Sequence, residues 1–191
     1  MWVLTTERLR LRRFEAERDE DAAFILELLN EPSFLQNIGD RQVRTLDDAR
    51  GFIENRMAKA YRELGYGFWA VERSADGALL GMCGLVKRDS LPEPDIGYAF
   101  VPRAWGQGYA LEAARACLAH ARDKLGMGTV LGITSPDNRA SARVLEGIGL
   151  HYVETRVLDG EERQTAVFRW DVSPETTSND KESLDDCHTT S

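Results

Sequence analysis

An arginine and two glycines stand between a strand-like run and a helical pattern, in the stretch Arg103-Ala104-Trp105-Gly106-Gln107-Gly108-Tyr109-Ala110. Glycine lets the backbone turn sharply and come close to a ligand. The first N–H groups of the following helix, with the positive end of its dipole, face whatever binds at this turn. Arg103 can add a charged fork for phosphate oxygens. The stretch therefore has the composition of a pyrophosphate-binding loop.

The same glycines are also compatible with a tight strand-to-helix connection that binds nothing. The usual nucleotide motifs do not fit this stretch. A Walker loop ends in Gly-Lys-Ser/Thr, whereas Tyr109 follows Gly108. The dinucleotide fingerprint requires a glycine where the chain has Leu111. A phosphate ligand here would therefore be held without a P-loop lysine and outside a Rossmann turn.

A second stretch with the same strand-then-helix context runs from Asn138 to Leu150, Asn-Arg-Ala-Ser-Ala-Arg-Val-Leu-Glu-Gly-Ile-Gly-Leu. Asn138 and Ser141 are three residues apart, so they share one face at the start of the helix. The alternative is that Asn138 only caps the helix and that Ser141 has no role.

Hydrophobic periodicity and turn residues predict the elements that would position these two stretches. The capping-box pattern at Thr45 and Asp48 marks the start of the second helix. The predicted helices are 19–30, 45–64, 110–124 and 138–147. The predicted strands are 6–14, 68–73, 79–87, 95–101, 130–134 and a hairpin of 151–158 and 163–170 joined at Asp159-Gly160.

Composition indicates one globular domain, residues 1–172, followed by a tail, 173–191. The tail is acidic and rich in Ser and Thr, and we expect it to be disordered. It contributes half of the net charge of −8, so the domain is only mildly acidic, which argues against a nucleic-acid ligand. No apolar run is long enough to cross a bilayer, and the first residues lack a signal-peptide pattern, so we expect a cytoplasmic protein without membrane association.

The cysteines and histidines do not form a metal-ligand or disulfide pattern. Three of each are widely spaced: Cys83, Cys117, Cys187, His120, His151 and His188. We therefore expect no metal cofactor.

Taken together, the two stretches resemble the GNAT superfamily of acyl-CoA N-acyltransferases. Arg103-x-x-Gly106-x-Gly108 is similar to its pyrophosphate-binding motif, and Asn138-x-x-Ser141 to its later helix that contacts CoA. The resemblance covers roughly residues 5–172. The segments Asp95-Ile96-Gly97-Tyr98, 102–110 and Gly39-Asp40-Arg41 are similar to the branch of ribosomal-protein N-terminal (alanine) acetyltransferases.

The resemblance implies an α+β fold: a mixed, mostly antiparallel sheet of about seven strands, flanked by about four helices and splayed between the fourth and fifth strands. It implies acetyl-CoA as co-substrate, with its pantetheine arm in the splay. Backbone N–H groups of Gln107, Gly108, Tyr109 and Ala110 would hold the pyrophosphate. Those near Phe100 and Val101 would polarise the thioester carbonyl, and Asn138 would contact the pantetheine arm or position the acceptor.

The resemblance also implies a general base, because an attacking amine must be neutral. Many relatives carry Glu at the position of Asp95, and Glu93 is the second candidate. Asp95 is equally compatible with a surface carboxylate at a strand start. The family's usual tyrosine acid is replaced by Leu145, so the resemblance suggests Ser141 as the group that assists the departing thiolate.

The implied reaction is transfer of an acetyl group to a primary amine, either a small molecule or a peptide N-terminus. The acceptor pocket would lie between the segment 37–41, the strand of Trp69 and the hairpin 151–170; Trp69 and Tyr98 themselves are expected to pack in the core. A monomer or a homodimer is expected. Two alternatives remain: a non-catalytic acyl-CoA sensor, and a different phosphate ligand at the glycine loop.

Overall fold

We describe a computed structural model of the chain over residues 2–160 and 162–172. The predicted tail, 173–191, lies outside the described residues. The strands are β1 Trp2–Thr5, β2 Leu9–Arg13, β3 Phe68–Arg73, β4 Leu79–Val86, β5 Asp95–Phe100, β6 Thr129–Thr134, β7 His151–Val157 and β8 Gln164–Asp171. The α-helices are α1 Asp19–Asn30, α2 Pro32–Asn37, α3 Leu46–Phe52, α4 Lys59–Glu63, α5 Tyr109–Asp123 and α6 Arg139–Gly147.

All eight strands form one sheet in the order β1-β2-β3-β4-β5-β6-β8-β7. Every neighbouring pair is antiparallel except β5 and β6. That parallel pair is in register only at Asp95↔Leu131 and Ile96↔Gly132 within the described residues. Beyond these positions the two strands diverge, and the expected splay in a mixed, mostly antiparallel sheet is confirmed.

Helices cover both faces of the sheet. On one face α5 packs on β4 and β5, and the Trp69 ring of β3 meets His120 of α5 edge to face, with 5.5 Å between centroids. On the other face α1 is anchored by Arg12 of β2, whose guanidinium bonds both oxygens of Asp21 at 2.6 and 2.7 Å. Glu72 accepts a third bond from Arg12 at 2.6 Å. Burial opposes the charge of Arg12, but these carboxylates raise its pKa above the ordinary value.

Three local features differ from the sequence prediction. The short strand β1 was not predicted, so the predicted fourth and fifth strands are β5 and β6. Helix α2 was not predicted: Pro32 follows the C-cap of α1 and opens α2, because proline is favoured in the first turn of a helix. The predicted helix 45–64 begins at the expected capping box of Thr45 and Asp48, but its middle, Ile53–Ala58, is a π-helical segment.

Candidate active site

A cavity of about 920 Å³ runs through the splay between β5 and β6. One end is lined by Trp105 and Gly106 of the glycine loop. The other end lies among α1, α2, the π-helical segment and the loop that joins β4 to β5. The site is therefore one continuous channel, with the predicted phosphate loop at one end and a pocket among these helices at the other.

The glycine loop leaves the N-terminus of α5 open. Gly106 and Gly108 have φ angles of 71° and 79°, in the left-handed region that favours glycine. Gly108 is the N-cap of α5 and supplies no side-chain cap. The backbone N–H groups of 106–111 have no protein acceptor among the described residues. Several unpaired donors at a helix N-terminus form an anion-binding site.

Arg103 points away from these donors. Its guanidinium forms an ion pair with Glu27 of α1. Arg103 was expected to bind a phosphate, and it could do so only after its ion pair with Glu27 breaks. The structure shows instead that the loop is held on α1 through this pair.

Arg8, which the sequence analysis did not single out, lies beside the open helix end. It donates to the Gln107 carbonyl at 2.9 Å and pairs with Glu112 at 2.7 Å. Its guanidinium lies 4.7 Å from the centroid of the Tyr109 ring. The cation is thus fixed next to the loop by three contacts, which residue spacing could not reveal because Arg8 and Gln107 are far apart in sequence.

The end of β5 presents alternating backbone groups to the gap. The Val101 N–H donates to Leu80 on the β4 side at 3.0 Å, so it is not available to a ligand. By strand alternation, the N–H groups of Phe100 and Tyr98 face the open edge. The Phe100 carbonyl is occupied by the Trp105 indole at 2.7 Å. Of the two predicted carbonyl-polarising residues, Phe100 alone offers its N–H to the gap.

Asp95 begins β5 and lines the cavity. It is only 1% exposed, so the alternative of a surface carboxylate is wrong. Its Oδ1 accepts from Arg88 Nε at 2.8 Å, whereas Oδ2 is buried without a hydrogen-bond partner among the described residues. Burial raises the pKa of Asp95, against the opposing effect of Arg88. A buried carboxylate with one free oxygen and a raised pKa is suited to accept a proton.

Glu93, the second predicted base, lies elsewhere. It is exposed, it is not among the described residues that line the cavity, and its charge acts on Arg169 of β8. The structure therefore brings Asp95, and not Glu93, to the channel.

Asn138 and Ser141 lie on the α6 wall of the channel. Asn138 Oδ1 accepts from the Ser141 N–H at 3.0 Å, so the helix-cap interpretation of Asn138 is confirmed. The amide nitrogen of Asn138 has no partner among the described residues and remains available to a ligand. Ser141 is more than incidental, because its Oγ lies 2.9 Å from the Tyr98 hydroxyl across the gap.

Tyr98 packs against the core, as expected, but its side chain also lines the channel, and its hydroxyl donates to the Ser141 carbonyl at 2.9 Å. Burial raises the pKa of this phenol, and the hydrogen bond with Ser141 opposes that change to a smaller extent. Tyr98 and Ser141 together place two hydroxyl groups on the β5 side of α6. Trp69, in contrast, is buried on the α5 face, as expected.

The pocket at the far end of the channel contains the predicted segment 37–41 through Asn37, Ile38 and Arg41. The strand of Trp69 contributes Phe68, and the C-terminal hairpin contributes Thr165. The hairpin loop also reaches α2, where Arg163 donates to the Gln36 carbonyl at 3.3 Å. The π-helical segment adds Arg56 and Met57, which sequence analysis did not indicate.

No group of His, Cys, Asp and Glu side chains that could hold a metal ion occurs within 2–160 and 162–172. In the same part of the chain, no helix has both the length and the apolar character needed to cross a membrane.

Comparison with known proteins agrees with this geometry. Residues 8–151 match the family model described as an acetyltransferase (GNAT) domain. Protein YkkB of Bacillus subtilis is 38% identical over 156 residues, which cover 80% of this chain and 87% of YkkB. The FsC-acetyl coenzyme A-N(2)-transacetylase of Aspergillus fumigatus is 31% identical, over 80% of this chain and 66% of that protein.

Solved structures have the same fold. An acetyltransferase from Agrobacterium tumefaciens superposes with a TM-score of 0.72 and 27% identity, over 87% of this chain and 92% of that one. RimL, a ribosomal L7/L12 alpha-N-protein acetyltransferase solved with coenzyme A, has a TM-score of 0.74 at 15% identity, over 90% of this chain and 98% of its own.

Proposed function

Because this chain belongs to the GNAT acetyltransferase family, we propose that it transfers an acetyl group from acetyl-CoA to the primary amine of a small molecule or of a peptide N-terminus. The observation that carries the proposal is the continuous channel. It joins an open helix N-terminus, suited to a pyrophosphate, to a buried carboxylate with a free oxygen.

The fit of acetyl-CoA rests on the donors of the loop and of the strand edge. The N–H groups of 106–111 would hold the pyrophosphate, with the side chains of Gln107 and Tyr109 beside them. Arg8 adds positive charge at this point, and Arg103 contributes by fixing the loop to α1. The free edge of β5 would pair with the amides of the pantetheine arm, while Asn138 offers its amide nitrogen from the opposite wall.

Acetyl-CoA supplies an activated acyl group. In the transfer, the amine nitrogen bonds to the acetyl carbon, the C–S bond breaks, and the amine proton must leave. Asp95 would accept that proton through Oδ2. A strand rises about 3.3 Å per residue, so Asp95 is about 10 Å along β5 from Tyr98, and a bridging water would relay the proton.

The Ser141 hydroxyl, on the α6 wall of the channel, would serve the leaving group. Serine is a weak acid, so Ser141 would donate a hydrogen bond to the thiolate and not transfer a full proton. Tyr98 gives its single O–H to the Ser141 carbonyl, so it would hold Ser141 in place. The N–H of Phe100 would donate to the carbonyl oxygen as it gains negative charge.

The direct test is to incubate the protein with acetyl-CoA and a panel of peptides, amino acids and polyamines, and to follow free thiol and the mass of each amine. We expect a mass increase of one acetyl group on an amine, with one thiol released per transfer. Binding of CoA without turnover on any amine would favour the alternative, a sensor module that retains the fold.

A further inference from the structure

The pocket at the far end of the channel carries an excess of positive charge. Four cationic side chains and two carboxylates occur among the described residues that line the channel: Arg41, Arg56, Lys87, Arg88, Glu31 and Asp95. All six belong to the junction of α1 and α2, the α2–α3 link, the π-helical segment, the loop between β4 and β5, or the start of β5. The excess therefore lies on the acceptor side, away from the glycine loop that would bind the CoA phosphates.

Two of these cations have no carboxylate within ion-pair distance in the described part of the chain. Arg56 forms no ion pair there, although Glu54 and Arg62 on the same helix pair with each other at 2.9 Å. Lys87 donates only to the carbonyls of Leu91 and Pro92, at 3.3 and 2.8 Å. Their charge remains uncompensated by side chains and acts on whatever enters the pocket.

Arg88 is the cation closest to the proposed chemistry. Its Nε is used by Asp95, but its two terminal nitrogens have no hydrogen-bond partner among residues 2–160 and 162–172. The side chain is 31% exposed and lines the channel, so these nitrogens are accessible to a ligand. A guanidinium edge with two free nitrogens matches a carboxylate.

We propose that the acceptor is a primary amine that carries a carboxylate near its amino group, as a free amino acid does. The inference rests on the proposed acetyl transfer. Arg88 would bind the carboxylate, while Oδ2 of the neighbouring Asp95 takes the proton of the amine through the bridging water. Arg56 and Lys87 add attraction for the negative group. A polyamine would meet this positive field unfavourably, and a neutral amine would lack the contact with Arg88.

The test uses matched pairs of acceptors that differ only in charge: alanine and alaninamide, β-alanine and its amide, and an Asp-initiated and an Asn-initiated tripeptide. Thiol release gives kcat/KM for each. Rates are compared per neutral amine, because amidation lowers the pKa of the amine. We expect a preference of about tenfold or more for the carboxylate member, since hydrogen bonds to charged groups are among the strongest in proteins.

The pairs also separate the two sources of such a carboxylate. Preference within the amino acid pairs alone supports a free amino acid, and preference within the peptide pair alone shows an acidic N-terminus and overturns the amino acid proposal. Equal rates within every pair overturn the charge preference but leave the acetyltransferase activity. Turnover of no acceptor contradicts the proposed function. In that case calorimetric binding of N-acetylalanine and N-acetylalaninamide to the CoA-loaded protein measures the charge preference independently.

Single substitutions test which side chains bind the carboxylate of the acceptor. Arg88→Met should reduce the carboxylate-to-amide ratio about tenfold, and Arg56→Met by a smaller factor. If Arg88 only positions Asp95, its replacement slows both members of a pair equally and leaves the ratio unchanged, which would contradict the proposed contact. Arg62→Met is the matched control, because Arg62 lies on the same helix outside the described lining of the channel. Its ratio should equal that of the unaltered protein.

Discussion

The glycine loop provides a sharp test, because a second glycine of the chain has the same conformation away from the open N-terminus of α5. Gly108 has a φ of 79°, and Gly126, just after α5, has a φ of 64°. A Cβ at Gly126 meets no atom within 4 Å, and one at Gly108 meets only the terminal nitrogen of Arg8 at 3.4 Å. Alanine therefore fits at both positions, and the backbone strain it introduces is alike.

That strain sets the expected loss of stability. An L-residue in the left-handed region costs about 1–2 kcal/mol, and 1 kcal/mol lowers the Tm of a chain of this size by about 2–4 °C. Gly108→Ala and Gly126→Ala should therefore both lower Tm by about 2–8 °C. Thermal melts of the two variants without ligand measure this directly and show that both remain folded.

Affinity for CoA should separate the two variants. Gly108 is the N-cap at the open helix end, so we expect a Cβ there to displace one or two N–H contacts to phosphate. Hydrogen bonds to charged groups contribute about 1.5–3 kcal/mol each, so Kd should rise about 10- to 100-fold or more. Gly126→Ala should leave Kd unchanged. Titration calorimetry with CoA decides: unchanged affinity in Gly108→Ala, or an equal loss in both variants, would refute the assignment of the pyrophosphate to this loop.

Three other predictions concern the carboxylate, the hydroxyls and the buried ion pair. Asp95→Asn should lower kcat about 100-fold or more without changing CoA affinity. Burial raises the pKa of Asp95, so the folded state binds the carboxyl proton more tightly than the unfolded chain does. The free energy of unfolding therefore decreases as pH rises from the ordinary pKa of an aspartate through the raised one. Thermal melts of Asp95→Asn across this pH range should not show that decrease. Ser141→Ala and Tyr98→Phe should each lower kcat about tenfold at unchanged KM for acetyl-CoA, and unaltered rates in both would remove their role at the thiolate. Asp21→Ala should lower the free energy of unfolding by about 3–5 kcal/mol in denaturant melts, because it leaves Arg12 buried beside Glu72 alone.

Features that depend on neighbouring residues could be predicted from the sequence. The capping box at Thr45 and Asp48, the cap by Asn138 and the left-handed turn at Gly106 each arise within a few residues. Strand β1 could not be predicted, because four residues without flanking turn signals show no clear period and its pairing with β2 is tertiary. The π-helical segment was also missed, because it is a short piece inside a longer helix and no residue type in 45–64 marks a change in hydrogen bonding.

The side chains that complete the site could not be predicted, because they come together only on folding. Arg8, the residue before β2, contacts the glycine loop although it lies about a hundred residues earlier in the sequence. The ion pair with Glu27 holds Arg103 away from the pyrophosphate contact that its motif suggested. Whether Asp95 or Glu93 faces the channel also depended on burial at the start of β5, which spacing does not determine.

Leu145, which stands where the resemblance implies a tyrosine, has a packing role. Leu145 is buried and fills the space above Gly132 of β6, where a Cβ would lie 2.6 Å from a Leu145 methyl group. The larger phenol ring of a tyrosine at 145 would not fit this contact in the same way. Leu145 and Gly132 therefore complement each other in size. A phenol hydroxyl reaches α6 instead from Tyr98 on β5, which meets Ser141 one helical turn before Leu145. The chain thus retains a phenol beside α6 while the helix position itself serves the core.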